Sequence, residues 1–226
     1  DALAAMVKAG GYDIGIAFDG DADRCLAVDE LGNLIDGDQI MAACGLDMLR
    51  KGKLSGDTVV ATVMSNLGLH QFVKEHGMKL ECTNVGDRNV LERMLEKGYA
   101  IGGEQSGHMI FLEHATTGDG ELTALQMLAL LKESGKKASE VFGACPRYPQ
   151  VLINIPVANN DAKKAIMASA ELAQAVAGEE EKLGDDGRVL VRPSGTEALM
   201  RVMVEAKTEQ TAQEAAQRLA DLIAKL

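Results

Sequence analysis

The chain has 226 residues, 46% of them hydrophobic, and a formal net charge of −11. That length allows one large domain or two modest ones, and the acidity argues against a nucleic acid or an anionic membrane as partner, because both attract Lys and Arg. Aromatics make up only 3% and Trp is absent, so the core must be aliphatic. Cys25, Cys44, Cys82 and Cys145 show no C-x-x-C spacing, which removes zinc-ribbon and redox-pair readings. Scattered single cysteines read as reduced core residues of a cytoplasmic protein. There is no signal peptide and no apolar run of ~18 residues to span a bilayer.

In chain order, "ALAAMVKAGG" (2–11) reads as the end of a helix stopped by Gly10 and Gly11. "DIGIAF" (13–18) is a short apolar strand, and "CLAVDELGNLID" (25–36) a hairpin turning at Glu30–Asn33. Residues 37–52 have helical apolar spacing, and the β-branched "TVVATVMS" (58–65) predicts a buried strand. Helix 67–77, strand 79–85, helix 87–98, strand 99–104 and a long helix 121–136 follow. This alternation predicts a parallel or mixed α/β layer. "FGACPRYPQ" (142–150) holds two of the four prolines and reads as a linker. Beyond it come strand 151–157, one long helix 161–177, a polar flexible segment 178–187 with Glu179–Glu181 as a solvated face, strands 188–193 and 199–206, and helix 209–226. That order, βαββα, predicts a smaller α+β domain.

Three segments carry candidate chemistry. "FDGDADR" (18–24) places Asp19, Asp21 and Asp23 on a loop after a strand, with Gly20 permitting the bend. Three adjacent carboxylates repel one another, and a hard divalent cation such as Mg²⁺ removes that cost. A calcium loop is a poor fit, because Arg24 stands where that loop turns on glycine. The bland reading is a solvated acidic turn. "GGEQSGH" (102–108) offers Glu104 and Ser106 to sugar hydroxyls and His108 for proton transfer; its bland reading is a turn with an incidental histidine. "RPSGTE" (192–197) offers Arg192, Ser194, Thr196 and the N–H groups around Gly195 as an anion cradle, with Arg201 on the next strand as a second guanidinium; its bland reading is an ordinary hairpin turn. Arg88 in "NVGDRNV" (84–90) reads as a solvated helix-start residue unless a phosphate lies nearby. His70 and His76 read as surface residues of one helix, and the methionines as core filler.

The order of these motifs along the chain resembles the α-D-phosphohexomutase superfamily, and the likeness spans the whole sequence. The resemblance implies a mixed-sheet α/β domain followed by a βαββα domain. It places residues 1–35 as the tail of the superfamily's second domain, 36–141 as its third, 142–150 as a linker and 151–226 as its fourth. It further implies Mg²⁺ held by Asp19, Asp21 and Asp23, Arg24 beside the phosphoryl group, and sugar hydroxyls gripped by Glu104 and Ser106. His108 is then the candidate acid/base, Arg88 a basic cleft-wall position, and Arg192, Ser194, Gly195, Thr196 and Arg201 the holders of the non-reacting phosphate. "GEQSGH" and "VGDRNV" point to the amino-sugar branch, so the implied partner is a hexosamine phosphate, glucosamine 6-phosphate or 1-phosphate.

The chain departs from the superfamily in one respect. The superfamily's phosphoserine lies in a Thr-x-Ser-His-Asn-Pro type of loop, and none of Ser55, Ser65, Ser106, Ser134, Ser139, Ser169 or Ser194 has that context. With a start at Asp1 inside a helix, the expectation is a fragment that lacks the phosphoserine domain and is inactive alone. Three alternatives stand beside it: a phosphoglucose or phosphomannose branch of the same superfamily, a sugar-phosphate-binding module without turnover, and, ranked last, an aspartate-nucleophile phosphatase.

Overall fold

A computed structural model describes all residues 1–226 and divides into two compact units, Asp1–Pro146 and Arg147–Leu226. The first unit opens with α1 (Ala2–Gly10), ended by Gly11 in the left-handed conformation. A three-stranded antiparallel sheet follows, in the order β1 (Ile14–Phe18), β2 (Cys25–Asp29), β3 (Leu34–Ile35). The β2–β3 turn closes because the buried Asp29 carboxylate accepts from the backbone N–H groups of Leu31 and Asn33 and from the Asn33 side chain.

The α/β layer starts at α2 (Gly37–Arg50), whose N-terminus carries a reciprocal capping box between Asp36 and Gln39. Its sheet runs β5 (Lys79–Thr83), β4 (Thr58–Thr62), β6 (Ile101–Gly103), β7 (Met109–Phe111). β4 is parallel to β5 and β6, and β6 is antiparallel to β7, so the sheet is mixed. β4 is buried at every position, as a β-branched run in a central strand should be. Helices α3 (Leu67–Glu75), α4 (Asp87–Lys97), α5 (Gly120–Ser134) and the short α6 (Ala138–Val141) complete the unit. The main core is aliphatic, with Ile40, Met41, Leu69, Ile101, Met109 and Met127 fully buried around Phe72 and Phe142. Neither β7 nor α6 is visible in the sequence pattern. β7 has three residues, too few to show a period.

The second unit is a three-stranded antiparallel sheet in the order β8 (Gln150–Pro156), β10 (Leu199–Ala206), β9 (Gly187–Pro193), with β10 central. Along β10, Met200, Val202, Val204 and Ala206 enter the core, while Arg201 and Glu205 fall on the opposite face. Helix α9 (Glu209–Ile223) packs on β8 and β10, and its Ala212, Ala215, Ala216, Leu219 and Ile223 form the buried stripe.

Two expectations are corrected here. The single helix 161–177 is two helices, α7 (Asn160–Met167) and α8 (Ala170–Leu183), because the Ser169 side chain accepts from the Leu172 N–H and starts a new helix. The segment 178–187 is helical as far as Leu183 rather than flexible. Its Glu179 is not solvated: it is 5% exposed and accepts two bonds from the Arg218 guanidinium, at 2.9 and 2.7 Å, and one from Lys182. This bidentate pair ties α8 to α9 and holds the Glu179 carboxyl down at about 2, against the opposing effect of burial.

Candidate functional site

The first cluster is assembled by backbone contact within the first unit. β1 ends at Phe18, and the chain reverses through Asp19–Asp23 into β2. Gly20 does not supply the bend. It keeps an ordinary φ, and Ala22 takes the left-handed conformation instead, at φ 58°. The loop is bonded on one side to the start of α5 (Gly120 N–H to Ala22 C=O, 2.9 Å). On the other it meets the β6–β7 turn (Cys25 N–H to Gly107 C=O, 3.0 Å), with a bridge between Arg24 and His108. The segment Glu104–His108 is that turn, closed by Glu104 N–H to His108 C=O at 2.9 Å. Gly107 sits at φ +97°, and a Cβ there would lie 2.4 Å from the Cys25 carbonyl oxygen. Only glycine fits a backbone approach this close.

One carboxylate oxygen from each of Asp19, Asp21 and Asp23 lies within 4.8 Å of the others. This is a set of hard oxygen donors, and a buried oxygen of Asp23 has no hydrogen-bond partner. The residues therefore fit a small divalent cation such as Mg²⁺. Burial, reinforced by the charges of Asp21 and Asp19, pushes the Asp23 carboxyl up, with His108 opposing. Burial also pushes Asp19 up, but the Arg24 backbone N–H, the neighbouring Asp23 carboxyl and the Arg24 charge more than offset it, and Asp19 sits below the ordinary carboxylate value. The Arg24 side chain lies against the loop itself, 3.6 Å from Asp19 and 4.0 Å from Asp23.

His108 is 4% exposed, with Nε2 3.8 Å from Asp23 and 4.0 Å from Asp87. Gly118 makes room for its ring, since a Cβ there would fall 2.2 Å from Nε2. Glu104 accepts the Gly86 N–H at 2.9 Å, which fastens the turn to the N-terminus of α4, and Ser106 is exposed. Arg88 is exposed and pairs with Glu92 at 2.7 Å along its own helix. Asp87 and Gly118 carry no mark in the sequence. "GDR" and "TTGDG" contain no pattern that marks either, and only the tertiary contact reveals them.

The second cluster lies in the second unit. Arg192 and Arg201 stand directly opposite each other in the β9–β10 register. Like charges so placed repel, and an anion between or beyond them relieves that. Burial, then the Arg201 charge, lowers Arg192 below the ordinary guanidinium value. Arg201 donates to Glu197 at 2.9 Å, while its buried Nε has no partner. The turn between the strands holds Ser194 buried, its hydroxyl accepting from the Glu197 N–H, and leaves Gly195 and Thr196 exposed. Beneath the turn, Lys163 of α7 donates to the Ser194 and Glu197 carbonyls at 2.8 and 2.5 Å. Nothing in the sequence marks this lysine, which is 6% exposed.

The fold, a mixed α/β layer and then a βααββα unit with these loops, defines the phosphohexomutase class. The chain belongs to the phosphoglucomutase/phosphomannomutase family: residues 36–148 match its alpha/beta/alpha domain III and residues 152–222 its C-terminal domain. The phosphoglucosamine mutase of Saccharopolyspora erythraea is 54% identical over 224 residues, which are 99% of this chain and 50% of that protein. That of Limosilactobacillus fermentum is 55% identical over 210 residues, covering 93% of this chain and 46% of that protein. The chain thus spans about half the length of the curated relatives it matches. Among solved structures, a phosphoglucomutase/phosphomannomutase family protein from Burkholderia thailandensis superposes with TM-score 0.81 at 22% identity, covering 99% of this chain and 49% of that one. Aspergillus fumigatus N-acetylphosphoglucosamine mutase, in complex with GlcNAc-6P and magnesium, superposes with TM-score 0.79 at 22% identity, covering 98% and 52%. At these identities the superpositions speak for the fold.

Proposed function

We propose that this chain is the sugar- and phosphate-binding half of a phosphoglucosamine mutase, which interconverts glucosamine 6-phosphate and glucosamine 1-phosphate through a bisphosphate intermediate and an enzyme phosphoserine. The observation that carries the reading is the stitching of the aspartate loop to the Glu104–His108 turn, which brings the loop of Asp19, Asp21 and Asp23 against the turn that carries Glu104, Ser106 and His108. The relatives' names, at about 54% identity along the whole chain, support the choice of branch. The phosphoserine is supplied from outside this chain, so the chain alone is inactive.

In this reading Asp19, Asp21 and Asp23 hold Mg²⁺, which when bound neutralises charge on the phosphoryl group. Arg24 adds a cation beside it. Glu104 and Ser106 orient sugar hydroxyls, with Glu104 itself fixed by the Gly86 N–H. His108, held between two carboxylates, moves the proton of the accepting hydroxyl. Arg88 contributes a peripheral positive charge. Arg192, Ser194, Gly195, Thr196 and Arg201 hold the non-reacting phosphate; two guanidiniums in register suit its oxygens. Such a division of labour fits phosphoryl transfer, where positioning and charge neutralisation do most of the catalysis. Residues 1–35 then end the second domain, 36–141 form the third, 142–150 link and 151–226 form the fourth. The four cysteines are free and no helix is long and apolar enough to cross a membrane, which accords with a cytoplasmic setting.

The test is an NMR titration of the chain, with Mg²⁺ present, using glucosamine 6-phosphate, glucose 6-phosphate and mannose 6-phosphate. Shifts at Glu104–His108 and Arg192–Thr196 that are largest with the amino sugar are expected. Equal responses to all three sugars would overturn the amino-sugar assignment, and silence at both loops would overturn the binding roles.

A further inference from the structure

We infer that Lys163 is a positioning residue for the phosphate loop, acting from beneath it without touching the ligand. This rests on the reading of residues 192–197 as an anion site. Three observations carry it. Lys163 is 6% exposed although it lies on α7, a short helix whose other lysine, Lys164, is 80% exposed at its side chain. A lysine is rarely buried without a carboxylate partner. Here its two acceptors are both carbonyls, Ser194 at 2.8 Å and Glu197 at 2.5 Å, the two ends of the turn that presents Gly195 and Thr196. The turn's other bonds also lie at its ends: Ser194 N–H to Leu199 C=O and Leu199 N–H to Glu197 C=O, both 2.9 Å, and Ser194 Oγ accepting from the Glu197 N–H at 3.3 Å. At the tip, a Cβ on Gly195 would touch nothing.

Bonding both carbonyls from one side turns them toward Lys163. The peptide N–H groups that follow them, those of Gly195 and Ala198, are thereby directed away from it, because each peptide plane is rigid. An anion loop depends on such oriented N–H groups. Lys163 therefore fixes the direction in which the turn offers its donors, and its positive charge below the turn acts on the ligand through the backbone. The signal is absent from the sequence because the lysine lies 31 residues before Ser194, on another element.

The experiment uses the 226-residue chain and inorganic phosphate. Lys163→Met is expected to lower the ¹⁵N heteronuclear NOE of Gly195–Glu197 to values of a mobile loop while α8 and α9 are unchanged. It is also expected to weaken phosphate binding at Arg192–Thr196 by about tenfold, one broken charge-assisted contact's worth. Lys163→Arg, which keeps the charge and two donors, is expected to restore at least half of that loss. A Met variant with a rigid loop and phosphate affinity within twofold of the parent overturns the inference. Failure of the parent chain to bind phosphate would instead count against the anion site, and the NOE comparison would still decide the latch. Should Lys163→Met not fold, the Lys163 ¹⁵Nζ resonance of the parent decides. Slow proton exchange with scalar coupling to the two carbonyls is expected; a fast-exchanging, uncoupled signal overturns the inference.

Discussion

The two candidate binding loops are held in different ways. In the first unit the aspartate loop and the Glu104–His108 turn meet backbone to backbone, through the bonds Cys25–Gly107 and Gly120–Ala22, and glycines make the approach possible. In the second unit the Arg192–Glu197 turn closes on itself through Ser194 N–H to Leu199 C=O and Leu199 N–H to Glu197 C=O, and side chains fasten it to its surroundings, with Lys163 below and Arg201 pairing with Glu197. A backbone-stitched site is broken by adding atoms, whereas a side-chain-latched site is broken by removing them.

The sharpest way to break the contrast is Gly107→Val. The added Cβ meets the Cys25 carbonyl at 2.4 Å, in a backbone conformation that β-branched residues avoid. The expected loss is about 3 kcal/mol or more from the first unit, followed as the denaturation of its amide signals, with the second unit unmoved. A loss under ~1 kcal/mol would show that the stitching is not what holds the site.

Acid should divide the units next. The Glu179 carboxyl sits at about 2 in the folded chain, from an ordinary value of 4.5, chiefly through Arg218. A lowered folded value stabilises the fold above pH ~4.5, and that stabilisation drains away as pH falls toward 2. The second unit is therefore expected to lose about 3 kcal/mol over that window, and Glu179→Gln to flatten its pH profile. An unchanged profile in the variant would remove the α8–α9 ion pair from the account.

The smallest effect is the most diagnostic. Arg192→Met removes one member of the like-charged pair opposite Arg201. Without ligand the second unit should gain about 0.5 kcal/mol, read as a higher melting temperature. With phosphate present the variant should show no further rise, whereas the parent does. A variant destabilised without ligand would mean that Arg192 serves the fold rather than an anion.

How far the sequence could be read follows from the same physics. Long periodic segments were legible: β4 from its β-branched run, α2, α5 and α9 from apolar spacing, and the change to a smaller α+β unit after the prolines. The three motifs were legible as clusters because their residues are adjacent in the chain. Short β7 was not, and neither was the break at Ser169, where one N-cap outweighed a continuous helical pattern. Glu179 looked solvated because its partner Arg218 lies 39 residues away.

The sequence by itself determined which side chains form the carboxylate loop, the Glu104–His108 turn and the Arg192–Thr196 turn, since local chemistry and spacing specify these. Tertiary structure alone decided what surrounds them: His108 between Asp23 and Asp87, Gly118 against its ring, Ala22 rather than Gly20 at the bend, and Lys163 beneath the Ser194–Glu197 turn. Each of these depends on a packing contact between residues distant in sequence, or on backbone strain imposed by such contacts, and no periodicity records that.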